Sequence, residues 1–283
     1  MILQKEIFQH RNKFGVPPTT IDKDWILGHF LNAMYSFKEI GNNFIFKGGT
    51  CLKKCYFDNY RFSEDLDFTL LNNTFSVDKK LINKIINTAE TNSGAKFHLN
   101  FINSQIHKDI EQGYEVEIKF WGADHKPNQK PLPPSRWQTK IKLDISFSEK
   151  LILAPVNKTI THPYSDREQI TNTIPAYSIY EIIAEKLRSL IQRNRPRDVY
   201  DNWFFSKNID KQHYTTIKEL LYQKAKNKSI DISKIENFVN DKKRKSNKRA
   251  WENSLKHQIS VDKLPNFDTA YKLLYPFILK ILN

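Results

Sequence analysis

Cysteine is nearly absent from this sequence, since only two of its 283 residues, Cys51 and Cys55, are cysteines. Their i,i+4 spacing sets them on one face of a helix, and no further cysteine is present to complete a thiolate metal site. We interpret both as structural thiols, with a redox or metal role as the alternative.

Long apolar runs are also missing. No segment approaches the roughly 18 to 20 apolar residues that a membrane-spanning helix needs, and residues 1–6 (MILQKE) are too polar for a signal peptide. We therefore expect a cytoplasmic protein with no membrane partner. Hydrophobic residues still make up 39% of the chain, which is enough for the core of one large or two ordinary domains.

Acidic residues are scarce relative to basic ones, and the net charge is +14. From Ser178 to the end there are 22 Lys and Arg against 12 Asp and Glu, which accounts for +10 of that charge. Such an excess predicts a polyanionic partner, most often a nucleic acid, although charge alone does not choose among DNA, RNA and an acidic protein. The strongest charge run, residues 241–249 (DKKRKSNKR), is interpreted as a solvated loop between helices.

Hydrophobic periodicity divides the chain into an α/β part and a helical part, with a boundary near residues 171–177. We expect domains at 1–175 and 176–283, the second being a basic helical domain. Scattered histidines such as His162 and His213 show no ligand spacing and are interpreted as structural. Strands are predicted at 44–46, 66–71, 96–102, 114–121 and 138–147, and helices at 21–40, 50–57, 77–92, 179–192, 196–207, 213–226, 232–240, 249–257 and 267–282.

A glycine pair stands just before a predicted helix, in the order Gly48, Gly49 and Thr50. Glycine permits a positive φ and lets a phosphate approach backbone N–H groups, and the start of a helix favours anions. The threonine adds a hydroxyl at the same point. These three residues are candidates for binding the phosphates of a nucleoside triphosphate.

Two carboxylates follow on a predicted strand, at Asp65 and Asp67. Because side chains alternate along a strand, both point to one face while Leu66 and Phe68 point into the core. Two adjacent carboxylates repel unless a cation neutralises them, and their hard oxygen atoms suit Mg²⁺ or Mn²⁺. A third candidate ligand, Asp144, interrupts an apolar strand in the same way.

Four ordered motifs resemble those of a known group. Residues 46–50 (FKGGT) and 61–67 (RFSEDLD) are followed by 184–187 (AEKL) and 195–201 (RPRDVYD). Together they look like the AbiEii/AbiGii family of nucleotidyltransferase-like toxins, which are the toxin halves of bacterial toxin–antitoxin and abortive-infection systems and include MenT tRNA nucleotidyltransferases. The match is distributed over residues 46–201.

The resemblance implies an α+β fold: a polymerase-β-like nucleotidyltransferase core, with a mixed sheet flanked by helices, and a C-terminal helical domain. It implies a metal held by Asp65 and Asp67, a triphosphate at the Gly49–Thr50 turn, and phosphate contact by Lys186. Asp198 would be a catalytic or nucleotide-positioning carboxylate.

The function implied is metal-dependent transfer of a nucleoside monophosphate from an NTP to an RNA hydroxyl, at the 3′ end of tRNA, which would block translation. In this hypothesis residues 242–249 contact RNA phosphates, and a cognate antitoxin is encoded alongside. Two alternatives stay open: a nucleotidyltransferase acting on a protein or small-molecule hydroxyl, and a non-catalytic module that binds RNA or the antitoxin.

Overall fold

The computed structural model describes residues 1–107, 109–126 and 128–283. The chain divides into two compact units, of which the first comprises Met1–Leu151 and Pro155–Tyr177 and the second comprises Ile152–Ala154 and Ser178–Asn283. Among the residues described, no helix combines the length and the apolar character that crossing a membrane requires.

The described residues of the first unit form a seven-stranded mixed sheet with the order β3-β4-β5-β2-β1-β7-β6. Strand β2 is parallel to β5 and β1 is parallel to β7, whereas the remaining neighbours are antiparallel. The predicted mixed sheet flanked by helices is confirmed. The strands are β1 (Phe44–Lys47), β2 (Asp65–Leu70), β3 (Lys96–His107), β4 (Ile110–Trp121), β5 (Lys140–Ser146), β6 (Val156–Thr159) and β7 (Thr173–Ala176).

Helices of the first unit cover the sheet and bury the core. Helix α2 contacts α5, β5 and β7, and α5 contacts β3. Both cysteines are buried free thiols. The helices are α1 (Gln4–Phe14), α2 (Pro18–Tyr35), α3 (Lys38–Asn43), α4 (Gly48–Cys51), which continues as the π-helix Leu52–Tyr56, and α5 (Lys79–Ser93).

Several elements of this unit differ from the sequence-based prediction. The helix predicted at 21–40 is two helices, because α2 ends at Tyr35 and α3 begins at Lys38. Helix α1 and strands β6 and β7 were not predicted. Strand β6 is mostly exposed and lies at the edge of the sheet, so its residues lack the alternation of apolar and polar side chains that marks a half-buried strand.

The second unit is helical in the residues described. Helices α6 and α11 have the predicted bounds, and α7 and α8 differ from the prediction by one residue at their ends. The helices are α6 (Ile179–Gln192), α7 (Pro196–Asn208), α8 (Tyr214–Asn227), α9 (Ile235–Phe238), α10 (Asp241–Leu255) and α11 (Phe267–Leu282).

The charge run at 241–249 is helical, so its interpretation as a loop is wrong. Helix α10 begins there because the Asn240 side chain accepts a hydrogen bond from the Lys243 backbone N–H at 3.0 Å. Asn247, Trp251 and Leu255 supply the buried face. These three buried residues are spaced four apart, and the first of them is polar. The helical period of apolar residues is therefore not visible in the lysine-rich first half of the helix.

Candidate active site

Strand β2 sets Asp65 and Asp67 on one face of the sheet. Both side chains are partly exposed, while Leu66 and Phe68 between and after them are fully buried. The alternation predicted for this strand is therefore what the structure shows, and the two carboxylates stand two residues apart on the same side.

The strand register brings the third predicted carboxylate alongside. Asp144 on the parallel strand β5 is the direct partner of Asp67, and Asp65 is the partner of Lys142. Cross-strand partners project to the same face of a sheet, so Asp65, Asp67 and Asp144 form a group that we call the carboxylate face. Asp67 and Asp144 are 77 residues apart in the chain, yet they are direct partners on neighbouring strands.

The electrostatics of this face favour a cation. The side chain of Asp144 keeps access to solvent, yet desolvation by the atoms around it raises its pKa, and the charges of Glu115 and Asp65 act in the same direction. The charge of Lys47 and a hydrogen bond from Gln105 oppose this effect without cancelling it. The raised pKa means that the ionised form of Asp144 is disfavoured in the fold, and a cation bound beside it would stabilise that form.

Lys47 is a site residue that sequence reasoning missed. It ends β1 as the antiparallel partner of Asp67, and its ammonium group lies 5.6 Å from the centre of the Tyr177 ring. Its position directly before the glycine pair was a weak signal in the sequence. The register of β1 and β2 was needed to place it at the carboxylate face.

The glycine pair makes room for side chains of this face. Gly48 has φ +79°, and a Cβ atom there would lie 2.0 Å from Oδ2 of Asp67. A Cβ atom at Gly49 would lie 2.8 Å from Oγ of Ser63. Glycine at position 48 is thus required both by its backbone conformation and by the close approach of the carboxylate.

Thr50 holds this turn in place. Its side chain is buried, and its hydroxyl donates a hydrogen bond to the backbone carbonyl of Asp65 at 2.5 Å. The bond ties the glycine turn to the first residue of β2, which fixes the turn next to the two carboxylates. Contact of Gly48, Gly49 and Thr50 with a triphosphate stays a prediction.

The residues of the carboxylate face fit a divalent cation of the Mg²⁺ type. They offer three hard oxygen donors on adjacent strands, which is the donor chemistry that Mg²⁺ and Mn²⁺ prefer. Desolvation outweighs the charge of Lys47 and raises the pKa of Asp144, so a bound cation would stabilise the ionised carboxylate. Asp65, Asp67 and Asp144 are therefore the residues of this face that could hold such an ion.

The second unit carries the other two predicted site residues, on α6 and α7. Lys186 is buried, and its ammonium Nζ lies 2.7 Å from Oδ2 of Asp201. Asp198 is also buried and lies 2.9 Å from the guanidinium Nη2 of Arg193. Asp201 and Arg193 were not assigned roles from the sequence, although Asp201 ends the fourth motif.

Asn202 joins these two helices. Its side-chain amide donates hydrogen bonds to the backbone carbonyl of Lys186 at 3.0 Å and to that of Asp198 at 2.8 Å. The other carboxylate oxygen of Asp198, Oδ2, is buried and has no hydrogen-bond partner among the described residues. A buried acceptor without a donor is costly, so Asp198 has unused capacity for a donor group.

A second cluster with metal-ligand chemistry is buried in the first unit. Nε2 of His29 lies 2.9 Å from Oδ2 of Asp166, and Nε2 of His162 lies 3.0 Å from Oδ1. The three ligand atoms lie within 4.8 Å of one another and so could hold a metal ion. The tertiary structure brings together histidines that are 133 positions apart in the sequence.

Hydrogen bonding accounts for this cluster without an ion. Burial, above all, lowers the pKa of His162 to about 4, so its imidazole is neutral. Metal-bound histidines usually donate the other ring N–H to an acceptor, but Nδ1 of His29 and of His162 is buried with no partner among the described residues. We retain the structural interpretation of both histidines.

Comparisons with known proteins concern the family and the fold of this chain. A family model described as "Nucleotidyl transferase AbiEii toxin, Type IV TA system" matches residues 29–273. The chain has no match among curated protein sequences.

Among solved structures, the nucleotidyltransferase toxin MenT4 of Mycobacterium tuberculosis is 16% identical with a TM-score of 0.64, and the alignment covers 100% of this chain and 90% of that one. A putative nucleotidyltransferase from H. pylori is 17% identical, with a TM-score of 0.53 over 93% of this chain and 94% of that one. JHP933 from Helicobacter pylori is 17% identical, with a TM-score of 0.55 over 94% and 93%. At these identities the likeness concerns the fold.

Proposed function

Because this chain belongs to the AbiEii nucleotidyltransferase toxin family, we propose that it transfers a nucleoside monophosphate from an NTP to an RNA hydroxyl at the 3′ end of tRNA. The new bond joins the acceptor oxygen to the α-phosphorus, the bond from the α-phosphorus to the bridging oxygen breaks, and pyrophosphate leaves. A tRNA modified in this way could not be aminoacylated, so translation would stop.

The carboxylate face is the observation that supports this proposal best. Asp67 lies between Gly48 and Asp144 on the neighbouring strand. Position 48 requires glycine because of its positive φ and its close approach to Asp67. In the proposal the glycine turn would receive phosphates, and Asp65 and Asp67 would hold the divalent ion. Asp144 completes the ligand set or receives the proton of the attacking hydroxyl.

Nucleotidyltransferases generally use a divalent metal with the NTP, and Mg²⁺ or Mn²⁺ would supply positive charge that offsets the charge developing on the phosphates. The residues of the chain contribute position and electrostatics. They hold the donor phosphate and the hydroxyl in line, which removes much of the entropic cost of bringing them together.

Lys186 and Asp198 are proposed to serve the same reaction. Lys186 would exchange part of its contact with Asp201 for nucleotide phosphates, since the carboxylate partner at 2.7 Å orients the ammonium group. Asp198 would position the nucleotide through its unpartnered Oδ2 atom. Their cooperation with the carboxylate face is part of the proposal.

The proposed acceptor is RNA because the second unit carries most of the net positive charge. The family is the toxin component of a type IV toxin–antitoxin system, so a cognate antitoxin is the expected protein partner, encoded alongside.

Incubation with labelled NTPs tests the proposal. Each of the four α-labelled NTPs is incubated separately with total tRNA, with total cell protein and with small hydroxylated compounds, in the presence of Mg²⁺ or Mn²⁺. We expect label in tRNA that depends on one preferred nucleotide and is lost in the Asp65→Ala/Asp67→Ala variant.

The other outcomes distinguish the alternatives. Label in protein or in a small molecule, but not in RNA, would overturn the proposed acceptor and keep the transfer reaction. No label anywhere, with toxicity that survives Asp65→Ala/Asp67→Ala in a folded protein, would favour a non-catalytic binding module.

A further inference from the structure

Helix α10 sorts the cations of its charge run onto different faces. Lys243 points inward, where its ammonium Nζ bonds to the backbone carbonyls of Leu190 and Asn237, each at 2.5 Å. Arg244 and Lys248 lie on a flank, and both pair with Asp268, at 2.8 and 2.5 Å. These three cations are already used within the protein.

A different set of cations points away from the core. At 100° per residue, the outward direction opposite the buried Asn247, Trp251 and Leu255 falls within about 60° of positions 242, 245, 249 and 256. All four side chains are exposed, and no ion pair to them occurs in the described part of the chain. We call this set the outer row: Lys242, Lys245, Arg249 and Lys256.

The outer row has the form of a polyanion contact. Its members lie between position 242 and the C-cap residue Lys256, 14 residue steps that extend about 20 Å at 1.5 Å per residue. Their charges are spaced along a straight line, as the phosphates of a nucleic-acid strand are, and each cation that meets a phosphate releases bound counterions. Cations that were needed for folding would pair with acidic residues, as Arg244 and Lys248 do.

RNA fits this row better than an acidic protein or a membrane surface does. Protein interfaces are enriched in aromatic residues and depleted in lysine at their centre, whereas the exposed residues beside the row, Ser246, Glu252 and Asn253, are polar or charged. A helix that lies on a membrane inserts its apolar face into the lipid. The apolar residues of α10, Trp251 and Leu255, are instead buried within the unit.

We propose that the outer row of α10 is the surface that contacts the phosphate backbone of the RNA acceptor, and that Arg244 and Lys248 are not part of it. This inference rests on the proposed function, because it assumes an RNA acceptor. The sequence-based expectation is that the whole run at 242–249 contacts RNA. The inference narrows the contact to residues chosen by helix geometry and by the absence of an ion pair among the residues described.

The test is the salt dependence of tRNA binding without NTP, measured by fluorescence anisotropy from 50 to 300 mM NaCl. For the variant K242Q/K245Q/R249Q we expect the slope of log Kd against log salt to fall by about two to three, because each lost phosphate contact changes it by about 0.7 to 0.9. The thermal unfolding midpoint should not change, since the row is exposed and makes no ion pair among the residues described.

Two controls separate geometry from net charge. The variant K126Q/K130Q/R136Q removes the same number of cations from an exposed loop of the first unit, and its slope should equal that of the wild type. The variant R244Q/K248Q/D268N removes the two flank cations of α10 together with their shared partner Asp268, and its slope should also be unchanged.

Each remaining outcome overturns a defined statement. An unchanged slope in the row variant, or an equal fall in the loop variant, overturns the row. Weaker binding of polyglutamate with unchanged binding of tRNA would assign the row to an acidic protein. A wild-type protein that labels no RNA overturns the proposed function, whereas RNA labelling together with an unchanged slope in the row variant overturns the row alone.

Discussion

The carboxylate face of the first unit gathers charges of one sign, whereas the second unit pairs opposite charges on α6 and α7. We call the latter group, Lys186, Arg193, Asp198 and Asp201, the α6–α7 cluster. On the sheet, Asp65, Asp67 and Asp144 share one face, and the pKa of Asp144 is raised by desolvation and by neighbouring negative charge. Between the helices, Lys186 meets Asp201 at 2.7 Å and Asp198 meets Arg193 at 2.9 Å.

The difference separates two uses of ionisable groups. Paired buried charges hold a structure together once their desolvation has been compensated, and breaking one partner is costly. Like charges gathered on an accessible face weaken the fold where a single neighbouring cation, such as Lys47, does not offset all of them, and a bound metal ion would stabilise them. The second arrangement is typical of a site kept for function.

The largest effect is expected at the carboxylate face. Asp65→Asn/Asp67→Asn should lower nucleotidyl transfer by about 10³-fold or more, because the charge that positions the metal and phosphates is removed. The free energy of unfolding should change little, since both side chains are partly exposed. Label transfer and urea unfolding measure the two quantities.

Glu64→Gln is the matched control for that variant. Glu64 precedes Asp65 but pairs with Lys23 at 3.1 Å, so transfer should stay near the wild-type rate. Equal losses in the two variants would remove the distinction between the carboxylate face and ordinary surface charge.

In the α6–α7 cluster, unlike the carboxylate face, a substitution should lower the free energy of unfolding as well as the transfer activity. Lys186→Met removes the ammonium partner of Asp201 and should lower the free energy of unfolding by about 3 kcal/mol, because a buried carboxylate loses its counter-charge. The double variant Lys186→Met/Asp201→Asn should recover most of that stability. Transfer activity should stay low in both variants if Lys186 contacts phosphates.

Arg193→Gln shows how much stability a partly exposed ion pair of the same cluster contributes, compared with the buried Lys186–Asp201 pair. The Arg193 side chain is 43% exposed, so solvent screens its pairing with Asp198 and the loss of stability should stay at or below about 1 kcal/mol. A double Lys186→Met/Asp201→Asn variant with full activity would restrict Lys186 to a structural role.

The pairing of buried His162 with Asp166 should make the first unit sensitive to acid. Burial lowers the pKa of His162 to about 4. Although burial opposes it, hydrogen bonds from His162, His29 and Trp25 keep the pKa of Asp166 well below its ordinary value. Both groups thus resist protonation in the folded state.

The sign of the pH effect follows from these shifts. The unfolded chain binds a proton at His162 near pH 6.5, whereas the folded chain does so near pH 4. Stability from this group is therefore complete above about pH 6.5 and is lost as the pH falls towards 4, by up to about 3 kcal/mol.

Urea unfolding at pH 7.5, 5.5 and 4.5 checks this expectation. His162→Gln should be less stable than the wild type at pH 7.5 and should lose less on acidification. The exposed-site variant His98→Gln should lose as much as the wild type. Parallel curves for all three proteins would contradict the assignment.

The smallest effect is expected for Asp144→Asn. The variant should be slightly more stable than the wild type at pH 7, because a neutral side chain replaces a carboxylate whose pKa is raised in the fold. The Mg²⁺ concentration for half-maximal transfer should rise by about 10-fold. An unchanged Mg²⁺ requirement would remove Asp144 from the ligand set and leave Asp65 and Asp67 in it.

Local signals predicted much of the fold. Alternation in 66–71 and the 3.6-residue period of 179–192 and 267–282 identified elements that each bury one clear face. The same signals failed where a face was short or mostly polar, as in β6 and the first half of α10. Interactions between distant residues, rather than local periodicity, determine those elements.

For the candidate site, the sequence alone determined which residue types could do the chemistry: a glycine pair before a helix, two carboxylates on a strand, and a lysine and an aspartate on later helices. Only the tertiary structure decided which of them are neighbours. Asp144 joined the face through the register of parallel strands, Lys47 through an antiparallel one, and Asp201 through the packing of α6 on α7. The reason is physical: strand register and helix packing depend on how distant apolar surfaces fit together, and no local spacing along the chain encodes that fit.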